Sequence, residues 1–148
     1  MDNCSTGNRP LVLIVDNDRD NLLFASYIIE SMGLNYSVLD DGEKCLDLIF
    51  KLLPDIILLD IVMPKISGLE IARTIREDKN IAHIPIIAVT GLTQPQYKTE
   101  LTHAGFNDYL CKPYLIEELE SKICGCLECQ LTVKGLRSYY NCSFQDND

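Results

Sequence analysis

Four polar residues along the chain could act together in phosphate chemistry. Each follows or closes a short apolar stretch, and the four are Asp16, Asp60, Thr90 and Lys112. Two carboxylates that lie close together suit a hard divalent cation such as Mg²⁺, which takes oxygen ligands and shares a phosphate oxygen. A lysine and a hydroxyl group supply the positive charge and the hydrogen-bond donor that a phosphoryl group needs. The set predicts phosphoryl transfer onto a carboxylate, with Asp60 as the nucleophile.

The stretches that precede these residues have the composition of buried strands. The stretch before Asp60 reads Ile-Ile-Leu-Leu, and a continuous apolar run of this length is typical of a strand covered on both faces. Pro85 stands near the start of a later run, where a missing N–H group is tolerated. We predict five strands, over residues 11–15, 36–39, 56–60, 84–89 and 108–111.

Segments with helical spacing of apolar residues separate the strands. We predict five helices, over residues 19–32, 43–53, 68–76, 95–104 and 115–127. Their inward faces are predicted to include Leu23, Phe50 and Ile116. Asp18 is well placed to cap the first helix, and Gly105 stands where the fourth helix should end.

The alternation of strands and helices defines the fold class. Five strand–helix alternations predict one α/β domain with a parallel sheet. Right-handed crossovers place helices on both faces of such a sheet and bring the carboxyl end of every strand to one edge. Ligands bind beyond that edge. Asp16, Asp60, Thr90 and Lys112 are therefore expected to meet there.

Composition excludes several classes of protein. The 148 residues are 47% hydrophobic and 24% charged, an ordinary globular balance. The net charge of −9 argues against a nucleic-acid binder, which needs clustered lysine and arginine. The longest apolar run, at 11–15, is far shorter than the ~20 residues that span a bilayer, and the first residues lack the pattern of a secretory signal. We expect a soluble, cytoplasmic protein with no membrane partner.

Three regions are predicted along the chain. Residues 1–9 are polar and are expected to form a flexible terminus, residues 10–127 the folded domain, and residues 128–148 a polar tail that carries cysteines.

The chain has seven cysteines, an odd number, and Cys45 and Cys111 fall inside predicted core elements. This pattern favours reduced thiols in a reducing compartment. Four further cysteines near the carboxyl terminus could supply the ligands of a zinc site: Cys124, Cys126, Cys129 and Cys142. Their spacing is not that of paired C-x-x-C knuckles. Ordinary thiols are therefore the favoured interpretation, and metal or redox binding is the alternative.

Four sequence motifs resemble those of a known family. They are Val-Asp-Asn-Asp at 15–18, Leu-Leu-Asp-Ile-Val-Met-Pro at 58–64, Ala-Val-Thr-Gly at 88–91 and Ala-Gly-Phe-Asn-Asp-Tyr-Leu-Cys-Lys-Pro at 104–113. In this order and spacing they are similar to the receiver domain of two-component response regulators, over roughly residues 10 to 127. The resemblance implies a flavodoxin-like, doubly wound sheet of five parallel strands in the order 2-1-3-4-5.

The resemblance also implies a metal pocket. Asp16 and Asp60 would ligate Mg²⁺, and the backbone carbonyl of Val62 would complete the set. The family usually has two adjacent acids after the first strand, whereas this chain has Asp16 and Asn17. Asp18 is a further candidate ligand, although a role as helix cap is favoured. We expect weaker Mg²⁺ binding than in a pocket with both acids.

The remaining roles follow from the same resemblance. Asp60 would be the phosphoacceptor, Thr90 would bind the phosphoryl group and act in the switch, and Lys112 would pair with the phosphoryl group. Tyr109 would be the aromatic residue that turns inward on activation, although a static core aromatic is the alternative. A cis peptide bond is implied between Lys112 and Pro113.

Two apolar residues suggest a long-lived phosphoryl group. The positions two residues after the phosphoacceptor and two after the threonine influence attack by water in receiver domains. Val62 and Leu92 occupy them here, and neither side chain can orient a water molecule.

The expected function is that of a stand-alone receiver. It would take a phosphoryl group from a sensor histidine kinase or a phosphotransfer protein and pass the signal to a downstream protein partner, through a surface formed by the fourth helix, the last strand and the last helix. We expect no enzymatic activity beyond slow self-dephosphorylation. Whether the chain forms a homodimer is left open by the sequence. The alternative is a receiver-like interaction module that works without phosphorylation. A phosphatase with an aspartate nucleophile is disfavoured, because Val62 stands where its second aspartate would be.

Overall fold

The computed structural model describes residues 9–91 and 95–133, and of Pro95 and residues 129–133 it describes the backbone alone. The strands are β1 (Leu11–Val15), β2 (Asn35–Leu39), β3 (Ile56–Asp60), β4 (Ile86–Thr90) and β5 (Asp108–Cys111). The helices are α1 (Arg19–Ser31), α2 (Cys45–Leu52), α3 (Gly68–Glu77), α4 (Pro95–Ala104) and α5 (Ile116–Val133). None of these helices has the length and apolar composition needed to cross a bilayer.

All four strand pairs are parallel, and the order across the sheet is β2-β1-β3-β4-β5. The predicted fold class and strand order are thereby confirmed. Every residue of the central strand β3 is buried, as expected for a strand with helices on both sides.

The core consists of two layers, one on each face of the sheet. Alternate strand residues enter different layers because side chains along a strand point to opposite faces. Ile57 and Leu59 pack with residues of α2, α3 and α4, whereas Ile56 and Leu58 pack with residues of α1 and α5. The sheet therefore has three helices on one face and two on the other.

Side-chain caps fix the helices that border the site. The carboxylate of Asp18 accepts hydrogen bonds from the backbone N–H groups of Asp20 and Asn21, which is the capping role predicted for it. Ser67 and Glu70 form a reciprocal capping box at the start of α3. These caps set where α1 begins, shortly after the end of β1, and where α3 begins, after the loop that follows β3.

Arg76 on α3 ties together the loops that lead into β4 and β5. Its guanidinium donates to the carbonyl oxygens of Ala82 and Ile84, each at 2.7 Å, and of Gly105 at 2.9 Å. It also donates to Asn107 Oδ1 at 2.8 Å. Burial lowers the pKa of this guanidinium, which stays charged because an arginine pKa is so high.

Three predicted inward residues are exposed. Leu23, Phe50 and Ile116 have 67%, 46% and 40% of their surface accessible. Leu23 and Phe50 each follow a buried neighbour by one residue, and one residue turns the helix by about 100°. The side chain that follows the buried stripe thus reaches solvent. Ile116 lies in the first turn of α5, ahead of the buried Leu119 and Ile123.

Several element boundaries also differ from those predicted; β4, for example, is Ile86–Thr90 rather than 84–89. The second helix is preceded by a 3₁₀ turn, Gly42–Lys44, that Asp41 caps. The last helix continues to Val133 rather than ending near Leu127, because no proline or glycine interrupts residues 128–133.

Candidate functional site

The carboxyl ends of the strands bring the predicted residues to one edge of the sheet. Val15 pairs with Leu59 across β1 and β3, so Asp16 and Asp60 follow at the same level of neighbouring strands. Thr90 pairs with Cys111 across β4 and β5, and the N–H group of Lys112 donates to the carbonyl oxygen of Thr90 at 2.8 Å. Parallel pairing alone therefore aligns all four residues.

Alternation along the strands explains why three of the four side chains converge. Asp60 continues the row of Ile56 and Leu58, which faces α1 and α5. Asp16 and Lys112 continue the corresponding rows of their own strands, those of Ile14 and Leu110, on the same face. Thr90 continues the row of Ile86 and Ala88, which packs with the other layer.

Lys112 bridges the two carboxylates. Its Nζ lies 3.0 Å from Asp16 Oδ2 and 3.5 Å from Asp60 Oδ1. Both aspartates are 5% exposed, and buried charges persist only when they are paired. The lysine is the counter-charge that lets two buried acids share this edge.

The ionisation of Asp60 is opposed by its surroundings. Burial, followed by the charge of Asp16, raises the pKa of Asp60 to about 6, while the Lys112 ammonium acts in the opposite direction. The carboxylate form still predominates at pH 7. Asp60 can therefore act as a nucleophile, and a further cation beside it would be electrostatically favoured.

The donor set fits Mg²⁺. Two buried carboxylates stand side by side, and Mg²⁺ usually takes one or two carboxylates and keeps several waters. Among the residues described, no group of three histidine, cysteine or acidic side chains could hold a metal, so the remaining ligands would be Asn17, a backbone carbonyl such as that of Val62, and water. Asn17 is exposed.

The predicted switch residues are neighbours on one face of the sheet. Thr90 is 1% exposed. Tyr109 pairs with Ala88, which lies two residues before Thr90 in β4. Tyr109 is partly buried against the layer of α2, α3 and α4. The peptide bond between Lys112 and Pro113 is cis, as predicted.

Two other predicted residues have different outcomes. Val62 is 64% exposed and follows Asp60, the last residue of β3, by two residues. Leu92 lies outside the described residues. The proposed effect of both on the lifetime of a phosphoryl group stays a prediction.

The candidate zinc site remains only partly described. Cys124 is buried and Cys126 is partly buried, whereas the side chain of Cys129 and the whole of Cys142 lie outside the described residues.

Sequence reasoning missed two residues that shape the site. A Cβ atom on Gly68 would collide with the carbonyl oxygen of Asp60 and lie 2.9 Å from Ile61 Cα, so only glycine allows α3 to approach the end of β3 this closely. Tyr114 lines a small pocket together with Asp16 and Lys112. Burial, followed by the charge of Asp16, raises the pKa of Tyr114 to about 12. The position of Tyr114 directly after Lys112-Pro113 is the sequence signal that could have identified it as a site residue.

Comparison with known proteins places the chain among signalling receivers. The model of the response regulator receiver domain matches residues 12–124. The polar-differentiation response regulator DivK of Brucella ovis is 33% identical over 102 residues, which cover 69% of this chain and 83% of that protein. The DNA-binding dual master transcriptional regulator RpaA of Synechocystis sp. is 34% identical over 114 residues, 77% of this chain. The chain spans about half (47%) of the length of RpaA.

Solved structures have the same architecture. The receiver domain of Francisella response regulator 1452 has a TM-score of 0.76 at 30% identity, covering 82% of this chain and 98% of that one. A CheY-like receiver domain protein from Methanospirillum hungatei has a TM-score of 0.78 at 26% identity, covering 84% and 98%. With its 2-1-3-4-5 parallel sheet, its paired carboxylates bridged by a lysine and these relatives, the chain belongs to the response regulator receiver domain family of two-component systems.

Proposed function

We propose that the chain accepts a phosphoryl group on Asp60 from a sensor histidine kinase or a phosphotransfer protein. It then signals to a downstream protein by a change of surface. The single observation that carries this proposal is the bridged carboxylate pair, with Asp60 buried at the end of the central strand and Lys112 Nζ 3.5 Å from its Oδ1. A cytoplasmic location is part of the proposal, because Cys45 is a core thiol without a disulfide.

The chemistry is a transfer between two covalent carriers. A carboxylate oxygen of Asp60 attacks the phosphorus of a phosphohistidine, an O–P bond forms, and the N–P bond to the imidazole breaks. Lys112, 3.5 Å from Asp60 Oδ1, would offset the charge that the phosphoryl group brings, and the Thr90 hydroxyl would donate a hydrogen bond to one of its oxygens. Mg²⁺ bound beside Asp16 and Asp60 would supply further positive charge at the phosphoryl oxygens.

A small phosphodonor tests the acceptor directly. The wild type, Asp60→Asn and Asp20→Asn are incubated with acetyl phosphate and Mg²⁺, and the products are analysed by intact mass. We expect one phosphoryl adduct on the wild type and on Asp20→Asn, whose changed residue is an exposed acid on α1. Asp60→Asn should carry none. An adduct that survives Asp60→Asn would refute Asp60 as the acceptor.

Two observations favour the alternative of a receiver-like interaction module that is not phosphorylated. Lys112 already neutralises part of the charge of Asp16 and Asp60, and Asn17 leaves the pocket one acid short of the family pattern. A pocket of this kind could be stable without metal. Absence of an adduct on every protein, with acetyl phosphate and with a phosphorylated kinase domain, would favour this alternative.

A further inference from the structure

The edge strand β2 lacks the features that usually keep a sheet edge from pairing. It lies at one end of the sheet, and its sequence, Asn-Tyr-Ser-Val-Leu, contains no charged residue and no proline. Its pairing with β1 runs without a bulge over the whole strand. Sheet edges are commonly protected by charged side chains, prolines or bulges. β2 has none of these, and in the described part of the chain no strand lies on its outer side.

The opposite edge strand, β5, is flanked by charged side chains. Asp108, its first residue, forms an ion pair with Lys122 at 2.8 Å. Lys98 Nζ and Lys122 Nζ lie 5.7 Å and 5.8 Å from the ring centroid of Tyr109 in the same strand. Pairing of another strand with this edge would remove these charges from water, which is costly. Of the two edges, β2 is therefore the one suited to pairing.

The outward-pointing backbone groups of β2 belong to Tyr36 and Val38. The N–H group of Asn35 donates to the carbonyl oxygen of Pro10, directly before β1, at 3.0 Å. Backbone groups of alternate residues in a strand point to opposite sides, so those of Tyr36 and Val38 point away from β1. Their side chains are exposed as well, at 39% and 46%.

Two copies of this edge are complementary to each other in the antiparallel direction. With a two-fold axis at Ser37, Tyr36 of each copy stands opposite Val38 of the other, and each of these two pairs exchanges two N–H···O hydrogen bonds. Aromatic and β-branched side chains that stand opposite each other on neighbouring strands stabilise the pairing. The order Tyr-Ser-Val at 36–38 thus matches a second copy of itself.

The flank of α1 beside this edge carries opposite charges at its two ends. Arg19 and Glu30 are both exposed. Three turns of an α-helix are about 11 residues, so the two side chains share one face of α1. Glu30 lines a groove of about 620 Å³ together with Tyr36, which shows that this face of α1 borders the edge of β2.

Antiparallel pairing of two β2 strands brings these opposite charges together. Because α1 connects the parallel strands β1 and β2, it runs from the carboxyl edge of the sheet, near Arg19, back to the amino edge, near Glu30. A two-fold axis reverses this direction in the second copy, so Arg19 of each copy faces Glu30 of the other. The carboxyl ends of β2, which lead into Asp40 and Asp41, stay apart. The charge pattern therefore fits a second copy in this orientation.

We propose that the chain forms a homodimer through antiparallel pairing of two β2 edges, with ion pairs between Arg19 and Glu30 of the two α1 helices. The dimer has one continuous sheet that runs through both copies. Its two Asp60 sites lie at opposite ends, because the strands of the two copies run in opposite directions. The dimer requires no phosphoryl group and is independent of the proposed function.

Sedimentation equilibrium of the full chain, without a phosphodonor, tests the dimer. We expect a monomer–dimer equilibrium with a Kd of about 100 μM. Val38→Lys should raise this Kd at least about tenfold, because it places a charge within the paired edge. Ile116→Lys changes a similarly exposed apolar residue at the start of α5 and should leave the Kd unchanged. A wild type that stays monomeric at about 1 mM, or an equal loss in Ile116→Lys, overturns the proposal.

Amide hydrogen exchange on the wild type locates the paired strand. As the protein concentration rises, the N–H groups of Tyr36 and Val38 should exchange at least about fivefold more slowly, because pairing removes them from water. If the dimer forms and these two N–H groups are not protected, the β2 strands do not pair and the proposal fails.

An exchange of charges on α1 tests the orientation of the two copies. Arg19→Glu and Glu30→Arg should each raise the Kd about fivefold, because each substitution creates a contact between like charges at both ends of the interface. The double variant with both substitutions should regain the wild-type Kd. A double variant that dimerises no better than the single ones would overturn the proposed pairing of the helices. Because no phosphodonor is present, these results do not depend on whether Asp60 accepts a phosphoryl group.

Discussion

At the scale of single residues, the fold opposes the ionisation of Asp60, whereas the proposed phosphoryl transfer needs the ionised carboxylate. Burial and the neighbouring Asp16 raise its pKa to about 6, and Lys112 limits that rise. Without a metal ion, an ionised Asp60 therefore destabilises the native state at pH 7. Removing its charge should stabilise the protein while abolishing the proposed function.

Asp60→Asn should raise the free energy of unfolding by about 2 kcal/mol at pH 7 without divalent cations. The pKa of about 6 in the folded protein exceeds the ordinary aspartate pKa of 3.8. Asp60 therefore contributes most to stability below its ordinary pKa, and this contribution is lost as pH rises through the pKa of the folded protein. The gain from Asp60→Asn should thus shrink towards pH 4. Urea unfolding between pH 4 and pH 7 measures this, with Glu77→Gln, an exposed acid at the end of α3, as control. A variant no more stable than wild type at pH 7 would contradict the expectation.

Asn17 would lower the negative charge of the proposed Mg²⁺ pocket. Asn17→Asp adds a carboxylate next to Asp16 and should tighten Mg²⁺ binding by about tenfold, which corresponds to about 1.4 kcal/mol. Isothermal titration calorimetry compares it with the wild type and with Asp18→Asn, which keeps a good helix cap. Unchanged affinity in Asp18→Asn would assign Asp18 to capping alone. Equal affinities of wild type and Asn17→Asp would refute the role of Asn17.

We predict that Val62 influences the lifetime of a phosphoryl group on Asp60. It is exposed beyond Asp60, and its side chain cannot orient water. Val62→Gln supplies a polar group and should speed hydrolysis about tenfold, by lowering the barrier about 1.4 kcal/mol. Decay of the adduct after removal of acetyl phosphate is followed by intact mass, with Val62→Ala as the matched control. If the phosphoryl adduct of both variants decays at the wild-type rate, Val62 does not influence its hydrolysis.

At the scale of elements, the site depends on how α3 meets the strands. Gly68 lets the start of α3 lie against the end of β3, and its N–H group donates to the carbonyl oxygen of Ile61 at 2.9 Å. Farther along the helix, Arg76 and Asn107 join the loops before β4 and β5, because Asn107 Oδ1 also accepts from the N–H group of Ile86. These bonds fix the strands that deliver Thr90 and Lys112.

Arg76→Met should lower the free energy of unfolding by about 3 kcal/mol, because four acceptor contacts lose a charged donor. Arg73→Met changes an exposed arginine on the same helix and should alter stability by no more than about 0.5 kcal/mol. Urea denaturation of both variants measures the difference. Equal losses would mean that the hydrogen-bond network contributes little.

At the scale of the whole molecule, exposed apolar residues border the carboxylate edge. Leu23, Phe24 and Tyr27 on α1 are exposed, and Leu115 is exposed just after the loop that carries Lys112. Exposed apolar patches commonly mark protein contacts. A protein donor that reaches Asp60 must approach this edge and would cover the start of α1, whereas acetyl phosphate would not.

Leu23→Asp should slow transfer from a phosphorylated kinase domain by about tenfold in kcat/KM, the loss typical of a central contact. Its reaction with acetyl phosphate should not change. Leu53→Asp, at an exposed apolar residue after α2, is the matched control. If transfer to Leu23→Asp is slowed with both donors, the substitution has damaged the surroundings of Asp60. If transfer is slowed with neither donor, α1 does not contact the protein donor.

Much of the fold and site was predictable because it depends on local pattern. Apolar runs followed by Asp16 and Asp60 identify buried strands and place both acids at one edge, since parallel strands end together. The prediction that Leu23 and Phe50 face inward is wrong, because both side chains are exposed. A helix period tells which residues share a face, but the exact limits of the buried stripe depend on the neighbours that cover it.

The sequence by itself determined that the domain is a parallel α/β sheet and that Asp16, Asp60 and Lys112 lie at one edge of it, because both follow from residue type and period. Tertiary structure alone decided that Lys112 contacts both carboxylates and that the pKa of Asp60 lies near 6. It also decided that Lys98 and Lys122 meet over Tyr109. Each of these depends on distances between residues far apart in the chain, and the electrostatic energy of a charge is set by what surrounds it in space.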